Sequence, residues 1–135
     1  MKEHRVTLGD IELAVFAAGA GPPVLLLHGF PDDGEVRENQ LSALAVEVYR
    51  VITPDTRGCG QSTIPAGVSD YRLKFLLDGI ISVLDHFELE RVSLVAHDWG
   101  AMIAWRLVIA RPERFERFAA LAVGHPAPLG AGGTM

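Results

Sequence analysis

The run from Val24 to Leu27 is apolar at every position, and it constrains the fold more than any other feature of the sequence. A strand with one solvated face alternates apolar and polar residues, whereas an unbroken apolar run is typical of a strand covered on both faces of a parallel sheet. Three more strands are predicted farther along, at Val48 to Thr53, Val92 to Ala96 and Phe115 to Val123. The chain is therefore expected to build a sheet that helices cover.

Segments with helical patterns separate these strands. The clearest follows Ser69, its predicted N-cap, and places six apolar residues on one stripe at helical spacing: Leu73, Leu76, Leu77, Ile80, Leu84 and Phe87. Two more helices are predicted, from about Gly34 to Val46 and from Trp99 to Ala110. Strands that alternate with helices through short connections predict an α/β fold with a mostly parallel sheet, right-handed crossovers and helices on both faces.

An antiparallel hairpin precedes this pattern. Its predicted strands are Arg5 to Leu8 and Ile11 to Ala17, and the pair Gly9-Asp10 between them favours a two-residue turn. The 135 residues, 49% of them apolar, are enough for one domain with a real core.

Charge and cysteine content exclude several functions. Twelve Lys and Arg against seventeen Asp and Glu give a net charge of −5, and no basic run could neutralise phosphates, so nucleic acid and anionic membranes are not expected partners. The single cysteine, Cys59, cannot form an internal disulfide, which favours a cytoplasmic location. Neither a signal peptide nor a membrane span is expected from these residues, and the scattered histidines suggest no metal site.

Polar clusters directly follow three of the predicted strands. They are His28-Gly29-Phe30-Pro31, the stretch from Asp55 to Ser62, and His97-Asp98-Trp99-Gly100. Because the carboxyl ends of parallel strands meet at one edge of a sheet, where ligands bind in such folds, the three clusters are expected to form one site. Asp55 and Arg57 are expected to fix their turn through a local ion pair and hydrogen bonds to loop backbone.

The third cluster has the pattern of a nucleophile elbow. Ala96 and Gly100 are small enough for a tight turn between a strand and a helix, which would push Asp98 out above the sheet. A carboxylate is ionised near neutral pH, so it could attack a saturated carbon without a base, opening an epoxide or expelling a halide and leaving an alkyl ester. Hydrolysis of that ester needs a general base and an oxyanion hole. The spacing alone equally fits an aspartate that only caps the helix.

Taken in order, the three clusters resemble the α/β-hydrolase fold family, and within it the epoxide hydrolases and the related haloalkane dehalogenases. The resemblance implies Asp98 as the nucleophile and the backbone N–H groups of Phe30 and Trp99 as oxyanion donors. Residues implied to support the site are His28, Gly29, Pro31, His97 and Gly100. A small epoxide or alkyl halide is the implied substrate, with no cofactor. The aromatic Phe30 favours an epoxide hydrolase, because dehalogenases more often carry a polar residue there.

The resemblance covers nearly the whole chain but only the N-terminal part of the family's core domain. Residues 1–135 are therefore expected to lack the lid and the last strands, which in the family carry the epoxide-protonating tyrosines, the acidic partner and the histidine base. None of the five histidines matches that base. The chain alone is expected to be weakly active or inactive, and its last strand, Phe115 to Val123, to be an exposed apolar edge that favours self-association.

Two alternatives to the epoxide hydrolase remain at this point. A haloalkane dehalogenase would use the same aspartate and release halide instead of a diol. A non-catalytic remnant or binding module would keep the elbow, lack the base and form no diol.

Overall fold

The computed structural model describes residues 2–27, 48–57, 61–67, 69, 72–97 and 99–121. The strands are β1 (Lys2–Leu8), β2 (Ile11–Ala18), β3 (Pro23–Leu27), β4 (Arg50–Pro54), β5 (Val92–His97) and β6 (Phe115–Leu121). The helices are α1 (Leu73–His86) and α2 (Trp99–Ala110), and a 3-10 turn, Pro112–Arg114, leads into β6. The helix predicted from Gly34 to Val46 lies outside the described residues.

The six strands form one sheet in the order β1-β2-β4-β3-β5-β6. β1 and β2 are an antiparallel hairpin, with Leu8 opposite Ile11, and β2 is also antiparallel to β4. β4, β3, β5 and β6 run parallel to one another. The predicted mostly parallel sheet with an N-terminal hairpin is therefore confirmed.

The unbroken apolar run of β3 is explained by its position between β4 and β5. All four residues from Val24 to Leu27 are buried. At the start of this strand the chain passes very close to the segment before β4. Gly21 has φ +124, and a Cβ there would overlap the backbone carbonyl oxygen of Val48. A glycine is therefore required at this position.

Both described helices pack on the same face of the sheet and form the larger core. α1 contributes Ile80, Val83 and Leu84, and α2 contributes its own buried apolar side chains. The opposite face has a smaller core of Ala14, Phe16, Leu26 and Val51. Because side chains alternate along a strand, β2 and β3 supply both cores.

The structure corrects the sequence prediction at the start of α1. Ser69 is not the N-cap, because the helix begins at Leu73 and its capping residue is Arg72, which makes no side-chain capping hydrogen bond. Leu73 is 42% exposed instead of buried on the stripe, whereas Val83 is fully buried. The buried stripe is therefore shifted toward the carboxyl end of the helix.

β6 forms one edge of the described sheet. Among the described residues it pairs only with β5. Its first half carries the exposed Glu116 and Arg117, so this edge is less apolar than predicted, while Leu121 is 52% exposed. The Phe118 ring packs edge-on against Trp105, with centroids 4.8 Å apart. Self-association through this edge stays a prediction.

Neither described helix is long and apolar enough to cross a membrane.

Candidate active site

The carboxyl ends of β4, β3 and β5 lie side by side. Leu25 of β3 is in register with Ile52 of β4, and Leu27 of β3 with Ala96 of β5. The segments that follow these three strands therefore begin at one edge, as the sequence predicts. Five predicted site residues fall outside the described residues: His28, Gly29, Phe30, Pro31 and Asp98.

A single residue, at position 98, separates β5 from α2. The strand ends at His97 and the helix begins at Trp99. Ala96 is fully buried, and Gly100 is buried in the first turn of the helix. Small residues on both sides of so short a connection are what the predicted elbow requires. The structure therefore places Ala96 and Gly100 on the two sides of this connection, while the elbow and the catalytic role of Asp98 stay predictions.

The first turn of α2 supplies hydrogen-bond donors at this edge. Backbone N–H groups at the start of a helix, including that of Trp99, have no intrahelical acceptor and lie at the positive end of the helix dipole. No acidic side chain occupies this first turn. Such an end is suited to an anionic oxygen. His97 is half-buried at the end of β5, in register with Leu121 of β6.

The turn after β4 is closed by the buried Asp55, which is 1% exposed. Its Oδ2 atom accepts a hydrogen bond from the backbone N–H of Gln61 at 3.0 Å. Its own backbone N–H donates to the carbonyl oxygen of Ala14 at 2.8 Å. The predicted hydrogen bond between Asp55 and loop backbone is therefore confirmed, and an ion pair with Arg57 stays a prediction.

Ser62 is a supporting residue whose role the sequence did not reveal. Its hydroxyl donates to the carbonyl oxygen of Asp55 and accepts from the backbone N–H of Ala14 at 2.9 Å, and the residue is 4% exposed. One buried hydroxyl thus joins both ends of the turn to β2. A small hydroxyl residue that ends a glycine-rich turn is the only signal that could have suggested it.

The same turn also contacts α1. The guanidinium carbon of Arg57 lies 5.4 Å from the centroid of the Phe75 ring, within the range of a cation–π contact. The segment that follows β4 is therefore held by β2 on one side and by the first turn of α1 on the other. This arrangement supports the site edge but provides no reacting group.

A wide cavity of about 640 Å³ lies away from this edge. Its walls are formed by residues that precede β5 and β6: Asp85, Glu88, Leu89, Glu90, Arg91, Glu113 and Arg114. They adjoin the amino ends of the strands, so the cavity does not belong to the candidate site. No group of His, Cys, Asp and Glu side chains in the described ranges could hold a metal ion.

The family of this fold is shown by its match to a known protein family. A family model of the alpha/beta hydrolase fold matches residues 22–131. The chain belongs to the alpha/beta hydrolase fold family. The matched range includes all three polar clusters and both described helices of the chain.

The curated relatives of this chain include epoxide hydrolases. The chain is 41% identical over 123 residues to an epoxide hydrolase of Caballeronia sordidicola, and this match covers 91% of the chain and 37% of that protein. It is 42% identical over 123 residues to the AB hydrolase superfamily protein YfhM of Bacillus subtilis, and this match covers 90% of the chain and 43% of that protein. The chain therefore spans roughly two fifths of the length of these relatives.

Solved structures give the same result. The crystal structure of an epoxide hydrolase from Vigna radiata matches with a TM-score of 0.86 at 37% identity, covering 90% of this chain and 38% of that chain. Epoxide hydrolase A from Mycobacterium thermoresistibile matches with a TM-score of 0.86 at 32% identity, and this match covers 94% of this chain and 40% of that chain. The chain is thus similar in both sequence and structure to about two fifths of the length of longer epoxide hydrolases.

Proposed function

We propose that this alpha/beta hydrolase opens a small epoxide by attack of the Asp98 carboxylate. The observation that carries the proposal is the single-residue connection between β5 and α2, flanked by the buried Ala96 and Gly100. In a nucleophile elbow, the residue of such a short connection is presented beside the N–H groups that begin the following helix. The similarity to epoxide hydrolases supports an epoxide as the substrate class.

The proposed first step forms an alkyl ester. A carboxylate oxygen of Asp98 bonds to a ring carbon, the bond from that carbon to the epoxide oxygen breaks, and the electron pair stays on the oxygen, which takes a proton from water. The N–H groups of Phe30 and Trp99 are the proposed donors to the oxyanion that forms when water later attacks the ester carbonyl. That second step releases a diol and restores the carboxylate.

The second step needs a general base that this sequence does not assign. None of its five histidines occupies a position that matches the family's base. Because uncatalysed ester hydrolysis is slow, we propose that the ester on Asp98 accumulates when this chain acts alone. A cytoplasmic location, suggested by the single Cys59, belongs to the same proposal.

The test is intact-mass measurement and peptide mapping after incubation with 1,2-epoxyhexane. The expected result is an increase by the mass of one epoxide, mapped to Asp98 and absent in Asp98→Asn. Asp78→Asn, which removes an exposed carboxylate from α1, is the matched control and keeps the adduct. Circular dichroism of each variant verifies that the chain is folded.

Three results would contradict the proposal. A folded chain without any adduct indicates a non-catalytic binding module. An adduct that persists in Asp98→Asn places the nucleophile elsewhere. If 1-bromohexane forms the ester and releases bromide while 1,2-epoxyhexane does not react, the chain is a haloalkane dehalogenase. Multiple turnovers to diol would refute only the accumulation of the ester.

A further inference from the structure

Four basic side chains meet near the amino ends of the parallel strands, on the face that carries α1. They are Lys2 and His4 of β1, Arg50 at the start of β4, and His86 in the last turn of α1, and together they are called the basic cluster. The Phe87 ring lies among three of them. Its centroid is 4.9 Å from the His4 ring, 5.0 Å from the His86 ring and 5.3 Å from the guanidinium carbon of Arg50.

The register of the sheet explains why distant residues meet here. Lys2 and His4 are two positions apart on one strand, so their side chains leave the same face. Lys2 is opposite Ala17, which is in turn opposite Ile52 of β4. Arg50 is two positions before Ile52 and therefore shares that face. The end of α1 then brings His86 and Phe87 over it.

Among the residues that the structure describes, no carboxylate forms an ion pair with the basic cluster. The ion pairs found in these ranges involve other arginines. The acidic residues that adjoin the cluster in sequence are engaged elsewhere or exposed: Glu3 pairs with Arg5, Asp85 pairs with Arg114, and Glu88 is on the surface.

The four groups act on one another electrostatically. Partial burial lowers the pKa of His4, and the positive charges of Lys2, His86 and Arg50 lower it further. No two of the three groups around the Phe87 ring are more than about 10 Å apart, which is comparable to the screening length in 0.1 M salt. A single anion would therefore be attracted by all of them at once.

We propose that the basic cluster binds a small oxyanion, a phosphate or a carboxylate, at the end of the sheet opposite the candidate active site. Lys2 and Arg50 supply permanent positive charge, and Arg50 also offers the planar set of donors that suits such groups. His4 and His86 supply N–H donors, and His4 gains charge on protonation. The Phe87 ring holds Arg50 and both imidazoles in place.

Binding of an oxyanion and protonation of His4 are thermodynamically linked. An anion favours the protonated imidazole, so it raises the pKa of His4, and protonation in turn strengthens binding of the anion. Affinity therefore increases as pH falls from 7.5 to 6, and it decreases as salt is added.

The direct test is a histidine NMR titration of the full chain with inorganic phosphate. Sodium chloride at equal, low ionic strength is the reference, and sodium acetate is titrated in parallel. The expected result is that phosphate or acetate raises the pKa of His4 above its value in chloride, and the anion with the stronger effect is the preferred oxyanion. Equal pKa values in all three salts would overturn the proposal.

Charge-removing variants localise the site. Lys2→Gln and Arg50→Gln are each expected to weaken phosphate binding by roughly two- to fivefold, the range found for exposed charge pairs. Lys74→Gln is the matched control, because Lys74 is the other lysine of the chain and is exposed in the first turn of α1, far from His86. Equal weakening by Lys74→Gln would show non-specific attraction and overturn the proposal. Lys2 is exposed, so its variant is expected to fold even if Arg50→Gln does not.

Discussion

The two ends of the parallel strands are stabilised in different ways. At the carboxyl end, buried hydrogen bonds of Asp55 and Ser62 join the turn after β4 to β2. At the amino end, the backbone passes closely at Gly21, and partly exposed basic groups surround Phe87. Buried hydrogen bonds are little affected by salt, whereas exposed charges are screened and titrate. We therefore expect the contacts of Asp55 and Ser62, which support the candidate active site, to be less sensitive to salt and pH than the basic groups at the amino end.

The largest effect is expected at the amino end, for Gly21→Ala. A Cβ there would overlap the carbonyl oxygen of Val48, and φ +124 is unfavourable for alanine, so the backbone must shift. We expect a loss of about 3 kcal/mol or more in the free energy of unfolding, measured with urea. Gly9→Ala is the control, since Gly9 has φ +60 with nothing within 4 Å of its Cβ position, and should lose about 1–2 kcal/mol. Equal losses would contradict the close approach.

At the carboxyl end, Ser62→Ala is expected to cost about 1–3 kcal/mol, because it leaves a buried N–H of Ala14 and a carbonyl of Asp55 without their partner. Urea unfolding measures this change. Ser82→Ala, which removes a hydroxyl bonded to the Asp78 carbonyl within α1, is the control and should be nearly neutral. A neutral Ser62→Ala would mean that this hydroxyl does not hold the turn.

Arg114→Met tests the turn between α1 and β5. The guanidinium donates to the carbonyl oxygens of Leu89 and Glu90 and to Asp85, and its side chain is only 12% exposed. We expect a loss of about 1 kcal/mol in unfolding free energy. Arg111→Met removes an exposed pair with Glu113 and should cost less. Equal unfolding free energies for Arg114→Met and Arg111→Met, measured with urea, would contradict this role of Arg114.

The smallest effect concerns pH. The pKa of His4 is lowered, first by burial and then by Lys2, His86 and Arg50, so the unfolded chain binds more protons there than the folded chain. This contribution to stability is complete above pH 6.5, the ordinary value, and is lost as pH falls through the lowered pKa of the folded state. The free energy of unfolding should therefore differ less between pH 7.5 and pH 5 in His4→Gln than in Ser62→Ala, which keeps His4.

The parallel sheet could be predicted because its signals are local. The unbroken apolar run of β3 and the pair Gly9-Asp10 each determine structure within a few residues. The prediction that Ser69 caps α1 was wrong because the backbone enters this helix only after Arg72. A side chain suited to capping does not by itself determine where a helix starts. Val83 fits the same stripe as Leu84, and only packing against the sheet shows that both are fully buried while Leu73 is exposed.

The order of the site's polar clusters along the chain could be predicted from the sequence, but the contacts that support the site could not. The small residues Ala96 and Gly100 predict a tight connection, and the structure has one. The bridge that Ser62 makes depends on the pairing of β2 with β4, which no local pattern specifies. The basic cluster depends on the same pairing, since it joins Lys2 to Arg50.

The position of β3 in the sheet has a consequence for synthesis. Both of its neighbours, β4 and β5, come later in the chain, so on the ribosome the most apolar strand waits until His97 has emerged. Only the β1–β2 hairpin can pair at once, because the other strand pairs close long loops. During that interval β3 is exposed to chaperones and to other nascent chains. The yield of this protein is therefore expected to depend on translation speed and chaperone supply as well as on the stability of its native state.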